Sequence, residues 1–141
     1  AYNICLQLDF QQRIAPETLD SAMRQLARRH ASLRTHFEWS EDQLEQVIAA
    51  APAADLSAER LVASGDPQTV LDGYTQRPFG QDGAPLWRIG LLDRSSGGST
   101  LVLVLHHIIA DAWSAEIMVR DLLDACQRVL PGAEPLLVAS P

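Results

Sequence analysis

The chain has 141 residues, 47% of them hydrophobic, with 11 basic and 18 acidic side chains and a formal charge of −7. That length suits one domain around one mixed core, and the negative balance without clustered basic residues argues against nucleic acid or an anionic membrane surface as partner. No apolar window reaches the ~20 residues that cross a bilayer and no charged, then apolar, leader precedes a cleavage site, so a soluble cytoplasmic protein is expected.

Along the chain, residues 2–10 (YNICLQLDF) set Ile4, Leu6 and Leu8 against Asn3, Cys5, Gln7 and Asp9. This period of two predicts a strand with one face in the core. Residues 16–30 open with Pro16, Glu17 and Asp20 and close with Arg28, Arg29 and His30, charges that complement a helix dipole at both ends. Leu19, Met23, Leu26 and His30 form its expected buried stripe, packed on a sheet. LRTHFEW (33–39) and QLEQVI (43–48) predict a hairpin across Ser40–Asp42. The alanine-rich stretch 49–64 has no clean period and reads as loop or weak helix. Asp66, a cap candidate, and Pro67 predict a short helix ending before Pro78.

DGAP (82–85) then turns the chain into the strand LWRIGLLD, and RSSGGS turns it again into TLVLVLHH. This last apolar run does not alternate, which predicts a strand covered on both faces in the middle of a sheet. Residues 114–130 predict a helix with Ser114 as N-cap, Met118, Leu122, Ala125 and Val129 buried, and Asp121 and Arg128 on the polar side. It stops at Pro131–Gly132, and the tail AEPLLVASP reads as a linker. Cys5 and Cys126 match neither a redox pair nor a zinc spacing and are expected as buried thiols.

The chemistry concentrates in LVLVLHHIIADAWS (101–114). Neighbouring side chains on a strand point to opposite faces, so His106 and His107 cannot both reach one site unless the strand breaks between them. A zinc site wants three or four convergent ligands, and His30 and His36 lie on other elements without ligand spacing, so no metal is expected. The spacing His107-x-x-x-Asp111, where a buried strand hands over to a turn and helix, puts an imidazole at the sheet's end. A neutral imidazole there can accept a proton from an amine, hydroxyl or thiol during acyl transfer. Asp111 can orient that ring or pair with an arginine. Without further context, a histidine beside an apolar run is by default a satisfied core residue. No Gly-x-Ser-x-Gly elbow or reactive-cysteine pattern points to a covalent intermediate.

These residues resemble the condensation domains of nonribosomal peptide synthetases. The family's His-His-x-x-x-Asp-Gly signature stands here as HHIIADA followed by Trp113 and Ser114. Its Arg-His-x-x-Leu-Arg-Thr-x-Phe motif is RHASLRTHF, from Arg29 to Phe37, and RPFGQDGAPLWRIGLL is similar to the segment before the final strand. The three stand in the family's order and cover most of the chain. The resemblance implies an α+β two-layer sandwich of the chloramphenicol acetyltransferase type, a mixed β-sheet with helices packed on it. It implies that residues 1–141 are the N-terminal lobe of such a domain, lacking its first helix and strand region and the whole C-terminal lobe.

The implied reaction joins a donor aminoacyl or peptidyl thioester to the amine of an acceptor aminoacyl carrier protein. His107 would act as general base or hold the amine, and His106 would be structural. Asp111 would be structural too, salt-bridged to Arg29 or, as second choice, Arg34. Ala112 replaces the motif's glycine, which matters if that position needs positive φ or close substrate approach. Implied partners are the donor and acceptor peptidyl carrier proteins, whose phosphopantetheine arms bear the substrates, the C-terminal lobe and a neighbouring adenylation domain. The lobe itself is expected to bind no cofactor, and alone to be inactive because the site lies between lobes. Two other readings are a coenzyme-A-dependent acyltransferase with a His-x-x-x-Asp motif and a non-catalytic relative that recruits partner proteins. The doubled histidine and RHASLRTHF weigh against the first, and the intact histidine motif weighs against the second.

Overall fold

The computed structural model describes residues 3–80, 84–127 and 136–140, with Ala112, Gln127 and 136–140 described by their backbone alone. Its strands are β1 (Asn3–Phe10), β2 (Thr35–Ser40), β3 (Gln43–Ile48), β4 (Glu59–Leu61), β5 (Trp87–Asp93), β6 (Ser99–His106) and β7 (Leu136–Ser140). The helices are α1 (Pro16–Arg29), α2 (Pro67–Gln76) and α3 (Ala112–Gln127), with a 3-10 turn at Ala31–Arg34. Five strands form one mixed sheet in the order β4-β5-β6-β1-β7, in which only β4 runs parallel to its neighbour. The non-alternating strand is therefore the middle one, as its uniform apolarity requires. β1 pairs with it from Asn3 opposite His106 to Phe10 opposite Ser99.

The pleat sorts β6 between two cores. Leu101, Leu103 and Leu105 join Leu6, Leu8 and Phe10 of β1 and Trp87, Ile89 and Leu91 of β5 in a cluster with α1 and α3. Val102 and Val104 join Cys5 and Leu92 in a smaller cluster with Leu71 and Tyr74 of α2. The α+β sandwich thus has α1 and α3 as its main helical layer and gains a short third layer from α2. Each fully buried leucine of β6 contributes about 1.5–3 kcal/mol relative to exposure. Cys5 and Cys126 are free, buried thiols, and among the described residues no helix is long and apolar enough to cross a membrane.

α1 starts at Pro16 and buries Leu19, Ala22, Met23, Leu26 and Ala27. His30 leaves the expected stripe: it lies one residue past the helix, and its Nε2 sits 2.6 Å from Asp121 Oδ2 of α3. Asp66 caps α2 by accepting the Gln68 N–H at 3.1 Å. The hairpin β2–β3 forms its own two-stranded sheet. Its connecting residues Glu41 (φ 49°) and Asp42 (φ 66°) are both left-handed, the backbone of a type I′ turn, whose twist matches the strands it joins.

Three further expectations about the elements fail. Residues 59–61, inside the stretch read as loop or weak helix, form β4 on the sheet's edge. Residues 136–140, read as linker, form β7 against β1. Asp121, placed on the polar side of its helix, has a side chain only 15% exposed and pairs with Arg29 and His30. Arg128, Val129 and the start of DGAP lie outside the described residues.

Candidate active site at the end of the central strand

β6 ends at His106, whose N–H donates to the Leu86 carbonyl at 2.9 Å. The chain then turns at once, with the Ile109 N–H donating to the His106 carbonyl at 3.1 Å. The ladder therefore breaks between the two histidines, and their rings come to lie on one side, stacked with centroids 5.5 Å apart and planes 22° from parallel. His107 is exposed. The His106 ring also meets Phe79, tilted at a centroid distance of 5.7 Å. His106 Nδ1 accepts the Ile108 N–H at 3.1 Å. A ring nitrogen that accepts an N–H carries no proton, so His106 here is neutral with its proton on Nε2. Burial first, and the neighbouring His107 second, hold its pKa below the usual histidine value.

At the far end of the loop, Asp111 Oδ1 accepts both the Ser114 N–H (2.8 Å) and the Ser114 hydroxyl (2.7 Å), and its carbonyl accepts the Ala115 N–H (2.9 Å). Asp111 is thus the N-cap of α3, and Ser114, expected in that role, is its partner. These hydrogen bonds from Ser114 keep the Asp111 carboxyl below the usual range. Ala112 opens the helix, and positive φ at non-glycine residues occurs only at Glu41 and Asp42 among the described residues. Alanine at 112 therefore carries no left-handed strain.

The expected salt bridge from Asp111 to Arg29 or Arg34 is not made. Arg29 pairs with Asp121 at 3.3 Å. Arg34 donates to the carbonyls of Ala27 (2.7 Å), Arg28 (2.8 Å) and Ala49 (2.9 Å), so it satisfies the last turn of α1 and ties β3 to it. Of the early motif, Arg29 and His30 are thereby built into the α1–α3 contact and Arg34 into the join between α1 and the end of β3. Around that loop Ile108 (51%), Trp113 (73%) and Ile117 (38%) expose apolar surface.

Two features escaped the sequence reading. Asp121 sits in a helical stripe pattern that marks it as solvent-facing, and only the proximity of the end of α1 reveals its pairing. A cavity of about 300 Å³ beside His106, lined also by Asn3, Gln76 and Phe79, comes from three separate segments. Its one legible signal was Phe79 in the RPF segment. Among the described residues no group of His, Cys, Asp and Glu converges to hold a metal ion.

The condensation-domain family matches residues 1–140. This chain belongs to that family. The cyclosporin synthetase of Tolypocladium inflatum is 33% identical over 141 residues, which cover 98% of this chain and 1% of the synthetase. The starter condensation domain of rhizomide synthetase superposes with a TM-score of 0.76 and 26% identity, covering 95% of this chain and 34% of that one. The X-domain complexed with OxyB from teicoplanin biosynthesis gives a TM-score of 0.77 at 25% identity, over 99% of this chain and 30% of the other. The α+β fold is that of condensation domains, and this chain spans about a third of the solved ones.

Proposed function

We propose that this chain is the N-terminal lobe of a peptide-bond-forming condensation domain, with His107 as its reacting side chain. The observation that carries the reading is the exposed His107 imidazole, presented at the end of a buried strand and stacked on a neutral His106, within the motif of the family. The acceptor amine attacks the carbonyl of the donor thioester. The new N–C bond forms, the C–S bond breaks, and the amine's proton passes through or beside His107 to the departing thiolate. His106 and Asp111 shape the loop from its two ends, while Arg29 and Arg34 hold the helical layer behind it. The lobe supplies no cofactor of its own, since the reactive groups arrive on phosphopantetheine arms of two carrier proteins. The setting is cytoplasmic, beside an adenylation domain.

Because the other wall of the site belongs to a second lobe, the 141-residue chain alone makes no product. The test incubates it with donor and acceptor aminoacyl carriers, alone and mixed with the polypeptide that follows it in its native reading frame, and seeks dipeptidyl carrier by intact mass. Product only in the mixture, lost on His107→Ala, is the expected result. No product from two folded pieces would overturn the catalytic reading in favour of a recruiting role, and acyl transfer from coenzyme A would favour the alternative acyltransferase.

A further inference from the structure

We infer that His106 is a positioning residue whose unprotonated Nδ1 holds the turn that presents His107, so that the motif is competent only with His106 neutral and its proton on Nε2. The turn from 106 to 109 has two closing bonds, and both end on His106. Its carbonyl accepts the Ile109 N–H at 3.1 Å, and its ring accepts the Ile108 N–H at 3.1 Å. The peptide that carries His107 is therefore held between a backbone anchor and a ring anchor of the preceding residue, much as an Asx turn is held by a side-chain oxygen.

Two rings pack on the His106 ring, Phe79 and His107, at centroid distances of 5.7 and 5.5 Å. Phe79 is itself held by the Arg88 guanidinium of β5, 4.4 Å from its ring centre. Among the described residues, the titratable or charged groups near His106 are His107 on the same turn and Arg88, which packs on Phe79, and the chain's amino terminus also disfavours a charge on the ring. Asn3 of β1 and Gln76 of α2, which line the adjoining cavity, carry no charge. Burial, His107 and the amino terminus all disfavour a protonated His106 ring. When a proton is forced onto Nδ1, two donors face each other and the Ile108 N–H loses its acceptor. The role of the turn in presenting His107 to substrate rests on the function proposed above; the hydrogen bond itself does not.

The two parts are tested separately. Long-range ¹⁵N correlation spectra of the 141-residue chain assign the His106 tautomer, and hydrogen exchange, corrected for intrinsic rate, reports the Ile108 amide in wild type and variants. An unprotonated Nδ1 is expected. Ile108 protection should fall about tenfold in His106→Ala and His106→Gln. It should recover in His106→Asn, whose Oδ1 stands where Nδ1 stood, and it should fall in wild type as pH drops through the His106 titration. A proton on Nδ1, or equal protection in the Ala and Asn variants, overturns the lock. The wild-type tautomer decides the matter even if a variant fails to fold. In the two-piece condensation assay, Asn exceeding Gln extends the lock to catalysis, and Asn no better than Gln confines it to folding and overturns the competence claim. Failure of the wild-type pieces to make any dipeptide counts against the proposed function and leaves the tautomer result standing.

Discussion

At the scale of single residues, the loop is defined less by charge than by hydrogen-bond direction. Asp111 works as a cap, which needs an acceptor oxygen but no negative charge, whereas a salt bridge would need the charge. Asp111→Asn should therefore keep the melting temperature at neutral pH close to wild type, and Asp111→Ala should lower it; equal losses would restore the ion pair. The sign with pH follows from the lowered carboxyl. The part of the cap's contribution that depends on the ionised carboxylate is present above the ordinary value of 3.8 and is lost as pH falls through the lower folded value, while the acceptor oxygen itself remains. The hairpin turn gives an opposite case, since Glu41 and Asp42 both hold positive φ without being glycine or asparagine. Replacing them by Asn and Gly should stabilise the chain by about 0.5–1 kcal/mol in urea unfolding. At Gly98 (φ 80°) the reverse holds, because a Cβ there would overlap the Phe10 carbonyl.

At the scale of elements, what could be read in advance was whatever a local pattern dictates. β1, β5, β6 and α2 carry their period or cap in their own residues, and each stands within about a residue of its predicted bounds. β4 and β7 carry none. The three residues Glu59–Leu61 become a strand only because Gly90–Leu92 offers them an edge, and Leu136–Ser140 only because β1 does. The site divides the same way. The histidines and Asp111 stood out by spacing, but the partner of Asp111 did not, because Ser114 and the two arginines can all donate to one carboxylate until the helix start is known. The pairing of Asp121 with His30 and Arg29 belongs to this level too, since it clamps the end of α1 to the middle of α3. With side chains 20% and 15% exposed, His30 and Asp121 should show a coupling of about 0.5–3 kcal/mol in a double-mutant cycle with alanine. Additive losses would reduce the clamp to mere proximity.

At the scale of the whole molecule, and among the described residues, exposed large apolar side chains cluster around the histidine loop (Ile108, Trp113 and Ile117) and on one face of the hairpin (Trp39, Leu44 and Ile48), with Val62 exposed apart from both. Water-exposed patches of that kind drive association. The isolated chain should sediment with a weight-average mass that rises with concentration, and substitution of Trp39 and Trp113 by serine should flatten the rise; a concentration-independent monomer would contradict this. The strand order has a consequence of another kind, for synthesis. β1 precedes both of its neighbours, β6 and β7, in sequence, so about 96 residues must be added after Phe10 before β6 is complete. At roughly 5–20 residues per second that is a delay of the order of 5–20 s. Through it the alternate leucines of β1 lack their partners Leu101, Leu103 and Leu105. Pairings so distant in sequence also close slowly, so the sheet cannot form around its middle strand until Ser99–His106 has left the ribosome.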